Sequence, residues 1–157
     1  MCNGVRSFLV IAFIAGLAAC AGSQTSLAPL VPEDTIQGFM GAVSSNDLVT
    51  MGSLWGTRRG PASDHMNSQT LEKRLTVIRT YLRHQRFSVL GQSTAAIPAD
   101  ERHRIYNVRL ERDGCIRIVP FTMVRVGQGW LVESIDLAAA GNPAVACVAR
   151  PAGTTGQ

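Results

Sequence analysis

Lysine is almost missing from this chain. Lys73 stands alone beside fourteen arginines in 157 residues, so the formal charge of +4 is an arginine charge. That bias reads as a trace of genome composition rather than of phosphate binding. Charged residues make up only 17 % of the chain and are scattered along it. Nucleic-acid binding wants a clustered basic face, so no nucleic-acid partner is expected. There is no internal repeat, no Gly-rich phosphate loop between a strand and a helix, and no G-x-S-x-G nucleophile signature. The histidines, His65, His84 and His103, lie far apart, and none has the i, i+4 or C-x-x-C-type spacing of a metal site. No metal and no cofactor are therefore expected. No apolar run reaches the roughly 20 residues that a membrane-crossing helix needs.

The longest apolar run is short and stands at the start. Arg6 supplies a positive flank, and Phe8 to Ala19 is apolar throughout apart from Gly16. This is the layout of a secretory signal rather than of a spanning helix. It ends in Leu17-Ala18-Ala19-Cys20. These four residues resemble the lipobox of bacterial lipoproteins, in which a branched apolar residue and small residues precede an obligatory cysteine. The resemblance implies a leader over residues 1–19, cleavage before Cys20, and lipid attached to the Cys20 thiol and the new amino terminus. One acyl chain holds a protein only marginally, whereas two or more anchor it stably at about 0.8 kcal/mol per buried methylene. The position after the cysteine is Ala21, not the aspartate that retains enteric lipoproteins at the inner membrane. The resemblance thus implies an outer-membrane anchor facing the periplasm, with lipid on Cys20 as the link to the membrane. Residues 20–31 read as a tether rich in Gly, Ser, Thr and Pro, with an end-to-end distance of roughly 20 Å.

Residues 32–137 carry the pattern of one globular domain, which is all that this length allows. Pro32-Glu33-Asp34 opens a helix, with proline and acids in its first turn. Ile36, Phe39, Met40 and Val43 form its apolar stripe. Ser44-Ser45-Asn46-Asp47 ends that helix and caps a second, which continues through Leu48, Met51, Leu54 and Trp55. Thr57 to Asn67 reads as a polar loop. Ser68 can cap a third helix with Leu71, Leu75, Ile78 and Leu82 on one face, ending near His84. From Phe87 the period changes to two. Phe87 and Val89 open a strand. Tyr106, Val108 and Leu110 alternate with polar residues, Asp113-Gly114 is a strong hairpin turn, and Cys115 to Val126 is the next strand. Its apolar set changes parity around Pro120, which predicts a β-bulge there. Gly127-Gln128-Gly129 turns into a last strand with Trp130, Val132, Ile135 and Leu137. Residues 138–157 read as a tail.

The order of helices first and hairpin-linked strands second predicts an α+β fold, with N-terminal helices packed on a curved antiparallel sheet of about four strands. Together with the closing Gly129-Trp130-Leu131-Val132 strand, that order resembles the nuclear transport factor 2-like superfamily over residues 32–137. A cystatin-like curved-sheet domain is the nearest alternative. The resemblance implies a cone-like sheet, and a family that includes enzymes, ligand binders and interaction modules, so fold alone does not choose between them.

Asp64-His65 pairs a carboxylate with an imidazole suited to acid–base work near neutral pH. In the isomerases and dehydratases of the resembled superfamily, a Tyr works with an Asp or His inside the cone. Tyr81 and Tyr106 are the tyrosines that could join them here, although core packing, with each hydroxyl finding water or backbone, is the better account of both. Asp136 alternates outward, which weighs against an enzyme. Arg58-Arg59 and Arg102-His103-Arg104 could meet a phosphate or carboxylate, or form solvated surface. Cys2 leaves with the leader and Cys20 takes lipid, so Cys115 and Cys147 remain in an oxidising compartment and read as one disulfide. Two unpaired thiols, or a bond from Cys147 to another chain, are the alternatives. The expectation is a membrane-anchored periplasmic lipoprotein that binds a ligand or envelope partner, or scaffolds. The alternative is a small isomerase- or dehydratase-type enzyme built on Asp64, His65, Tyr81 and Tyr106.

Overall fold

The computed structural model describes residues 28–94 and 101–145. Helix α1 spans Pro32–Ser45 and α2 spans Leu48–Leu54. The proline sits in the first turn of α1 beside Glu33 and Asp34, and Asn46 ends the helix with a left-handed φ of 59°. Asp47 then caps α2 by accepting the Thr50 N–H at 2.9 Å. The third long element, here α4, covers Ser68–Leu82. Its cap is Asn67, one residue before the expected Ser68, with the Asn67 side chain accepting from the Gln69 and Thr70 amides.

The stretch expected to be a polar loop contains three short elements. These are β1 (Gly56–Thr57), β2 (Gly60–Pro61) and α3 (Ala62–His65). The two strands pair with each other, and Trp55 bridges to Val132 in the main sheet. Elements this short lack the length over which a period becomes visible.

The main sheet has four strands, β3 (Arg86–Gln92), β4 (His103–Arg112), β5 (Cys115–Val126) and β6 (Gly129–Ile135). It is antiparallel in the order β3-β4-β5-β6 and open at both edges, so the fold class is α+β. Asp113 and Gly114 turn β4 into β5 with φ of 50° and 77°, the pair of positive φ values that a type I′ hairpin turn demands.

Pro120 does not mark a bulge. Pairing between β4 and β5 runs without a break from His103↔Val124 to Arg112↔Cys115, through Asn107↔Pro120. The apparent change of parity comes from Ile116 and Ile118, which lie on the solvent face and are 55 % and 44 % exposed. The Pro120 carbonyl accepts from the Asp136 amide, beyond the last β6 residue Ile135. The nitrogen of a strand residue points to the same neighbour as its carbonyl, so proline here forfeits no ladder bond. The actual irregularities lie between Thr122 and Met123, facing β6, and between Val89 and Gly91 in β3.

The core fills the space between helices and sheet. Ile36, Phe39, Met40, Met51 and Leu82 from the helices, and Val108, Val119, Phe121 and Met123 from the strands, are fully buried. Phe39 and Phe121 meet edge-to-face with centroids 6.4 Å apart. Trp130 is 9 % exposed, and its carbonyl takes the hydroxyl of buried Thr35 at 3.1 Å.

The packed chain reaches back to the segment before α1. The Trp130 amide donates to the Pro29 carbonyl at 2.9 Å. A β-carbon on Gly129 would overlap the Ala28 carbonyl oxygen, so only glycine lets the two backbones approach this closely. After β6, Asp136 caps the short helix α5 (Leu137–Ala140), whose Ala140 is buried. Arg112 clamps this region, donating to the carbonyls of Tyr81 at 2.8 Å and Ala140 at 3.0 Å.

Candidate functional site

The bulge in β6 turns one residue out of register. Thr122 pairs with Ser134 and Met123 with Val132, which leaves Glu133 between them. Its carbonyl accepts from the Trp55 indole at 3.1 Å, and its carboxylate lies 3.0 Å from Nε2 of His103. Both side chains of that pair are partly buried, at 18 % and 28 % exposure.

On one side of Glu133 opens a cavity of about 390 Å³, lined also by Trp55, Thr57, Arg59, His65 and Arg74. Local structure explains the set. The β1–β2 hairpin brings Thr57 and Arg59 over the edge of β6, α3 carries His65 back toward the hairpin, and Arg74 comes from α4. His65 is not loose, because its Nε2 contacts the Arg59 carbonyl oxygen at 2.5 Å. The wall is mixed: one carboxylate, two guanidinium groups, one imidazole and one indole. Such a wall can grip a polar or charged group and stack an apolar one against Trp55.

The four candidate residues of the enzyme alternative do not assemble. Asp64 is exposed on α3 and accepts from its neighbour, the Ser63 hydroxyl, at 3.1 Å. His65 lines the cavity just described, and Asp64, Tyr81 and Tyr106 do not. Tyr81 lies near the end of α4, where Arg112 holds its carbonyl. Tyr106 faces the core at 6 % exposure. Burial pushes its hydroxyl above the ordinary tyrosine pKa of 10.0, and the Glu33 carboxylate, hydrogen-bonded to it, adds to the shift. A tyrosine held in its neutral form by a carboxylate partner is a packing residue with its polar end satisfied.

A second polar cavity gathers residues that the sequence holds far apart. Arg58, Arg102 and Arg104 line it together with Arg125. Glu133, Trp55, Arg74 and Arg125 carry no motif; the β6 bulge, the end of α2, the packing of α4 and the strand register bring them to these sites. A third groove, about 450 Å³ and lined by Leu48, Val49, Met66 and Leu71, runs beside α2 and α4 and is mostly apolar.

Among the described residues there is no group of three or more His, Cys, Asp or Glu side chains that could hold a metal ion. No described helix is long and apolar enough to cross a membrane. Cys20 and Cys147 lie outside the described residues, so both the lipid attachment and the Cys115–Cys147 pair are carried forward as proposals. No family model matches the sequence, and no curated protein or solved structure is similar enough to match it.

Proposed function

We propose that this chain is a lipid-anchored protein of the bacterial envelope, attached through Cys20 and facing the periplasm from the outer membrane. Its domain works by binding a ligand or partner at its surface, or by scaffolding, rather than by catalysis. The observation that carries the binding reading is the packed interior. Phe121, Met123 and Leu82 are fully buried and Trp130 nearly so, and they fill the space where an active-site cone would open. Recognition then falls to surface sites such as the polar cavity beside Glu133 and the arginine cavity near Trp130. The isomerase- or dehydratase-type alternative has less support, because Asp64, Tyr81 and Tyr106 do not line the cavity that His65 lines.

The anchor is tested with labelled palmitate and membrane fractionation of the native chain and Cys20→Ala. The native chain should be labelled and sediment with membranes, and the variant should lose the label and be released or stall in processing. A Cys20→Ala chain that is still labelled and still membrane-bound overturns the anchor. Surface binding is tested by placing a photo-crosslinking residue at exposed Thr57 in living cells. One or a few adducts of defined mass should form, and they should disappear when Arg74→Ala is added. A smear unchanged by Arg74→Ala means that this surface has no specific occupant.

A further inference from the structure

Four arginines from three separate stretches meet at one cavity of about 540 Å³. Arg58 comes from the turn between β1 and β2, Arg102 and Arg104 from the start of β4, and Arg125 from the end of β5. Glu101 lines the same cavity, and among the described lining residues arginine is the commonest. Arginines that lie far apart in the sequence are brought to one cavity by the fold.

The site is built rather than incidental. The Arg125 amide donates to the Arg102 carbonyl at 2.8 Å, which brings the two backbones together. Arg104 is held by the carbonyls of Glu101 and His103, at 3.3 and 3.2 Å, with its guanidinium 5.9 Å above the Trp130 ring. Arg125 is steadied by the Gln128 side chain at 3.3 Å. Arg58 and Arg125 are exposed. Guanidinium forks match phosphate oxygens two at a time, which a compact ammonium does not.

The position of the cavity selects the source of the phosphate. Trp130, which lies under Arg104, also holds the N-terminal segment through Pro29, and its neighbour Gly129 packs on Ala28. The eight residues from Cys20 to Ala28 span at most about 29 Å when fully extended. We propose that the cavity of Arg58, Arg102, Arg104 and Arg125 receives the phosphate headgroup of an anionic phospholipid in the membrane that holds the chain. This rests on the anchored reading above. The lipid on Cys20 keeps the domain near the bilayer, and the arginine cavity turns one particular face toward it.

The test is a titration of the full chain in nonionic detergent, read by tryptophan emission, since Arg104 sits over Trp130. The probes are dihexanoyl phosphatidylglycerol, dihexanoyl phosphatidylcholine and inorganic phosphate, each kept below micelle formation. Phosphatidylglycerol should give a saturable change. Each guanidinium that hydrogen-bonds the phosphate contributes roughly tenfold. Arg58→Gln with Arg125→Gln should therefore weaken binding about 100-fold with circular dichroism unchanged. Arg83→Gln with Arg86→Gln, which removes the same charge from exposed positions elsewhere, should change it little. The proposal is overturned by no saturable response, by an equal response to phosphatidylcholine, by inorganic phosphate binding as tightly as the lipid, or by an equal loss in the Arg83/Arg86 variant. Intact mass of the same preparation separates the two claims. Acyl mass without phosphatidylglycerol binding sinks the site and leaves the anchor. Binding by a chain without acyl mass supports the site and sinks the anchor.

Discussion

Trp130 joins several parts of this molecule. Its ring closes the core at 9 % exposure, its carbonyl takes the buried Thr35 hydroxyl, its amide holds Pro29, and its face carries Arg104. The backbone bonds would survive truncation of the side chain, but the ring volume would not be refilled in so tightly packed a core. Trp130→Ala should therefore cost about 3–5 kcal/mol, a large share of the stability of a small domain. Chemical denaturation should show a large loss in midpoint with a cooperative transition retained. A midpoint within a few per cent of the native value would mean that the ring is not part of the core. The contrast with Tyr106 is instructive. Both aromatics bury a large apolar body, and each needs an outlet for its polar atoms. The Glu33 carboxylate meets the Tyr106 hydroxyl, whereas the Arg104 guanidinium lies over the Trp130 face.

At the scale of elements, the junction of α1 and α2 offers a clean pH test. The Asp47 carboxylate is held below its ordinary pKa of 3.8, first by the Thr50 hydroxyl at 2.6 Å and then by the Thr50 amide. A carboxyl with a depressed pKa in the fold stabilises the fold above its unfolded-state value. That contribution disappears as pH falls through the lower folded value. Asp47→Asn keeps an N-cap but loses the charge. The native chain should melt higher than Asp47→Asn near neutral pH, and the gap should close well below pH 3.8. A gap that stays constant with pH would show that the charge on the cap is irrelevant. These same helices were legible in the sequence because their stripes run over several turns and their caps are chemically distinctive. The hairpin turn at Asp113-Gly114 and the full extent of β5 were legible for the same kind of reason. Pro120 misled because exposed Ile116 and Ile118 imitate a buried strand face, and apolar residues are allowed outside. The sites were the least legible. Arg58, Arg102 and Arg104 stood out as local charge, but joining them with Arg125 needs strand register. Glu133 becomes special only through a bulge that no sequence signal marks.

At the scale of the whole molecule, the open question is how its C-terminal end is secured. The described chain after β6 does not run away from the domain. It folds into α5, where the Ala140 carbonyl is gripped by Arg112, and Gly141 follows close enough to Arg117 that a β-carbon there would lie about 3.5 Å from the guanidinium. Arg112 is the residue paired with Cys115 across the hairpin, and Arg117 lies two positions beyond it. The returning chain is therefore at the Cys115 end of the sheet by Gly141, and Cys147 follows six residues later. Six residues reach about 20 Å if extended, ample to come back to the half-buried Cys115. Apart from Ala140 and the partly buried Leu137, the segment up to Val145 contributes little to the core, so packing alone holds it weakly. A Cys115–Cys147 bond would close a loop of about 33 residues and stabilise the domain by roughly 3–4 kcal/mol on the chain-entropy account. It would also fasten the tail beside the hairpin that joins two of the four strands. Protein exported to the periplasm should take up alkylating reagent at Cys115 and Cys147 only after reduction, with an intact-mass change of one bond. Cys115→Ser and Cys147→Ser should each lower the thermal midpoint, and the double variant should fall no further than either one, because the two residues then act as a single unit. Additive losses, or two thiols that alkylate without reduction, would show that no such bond fastens the tail.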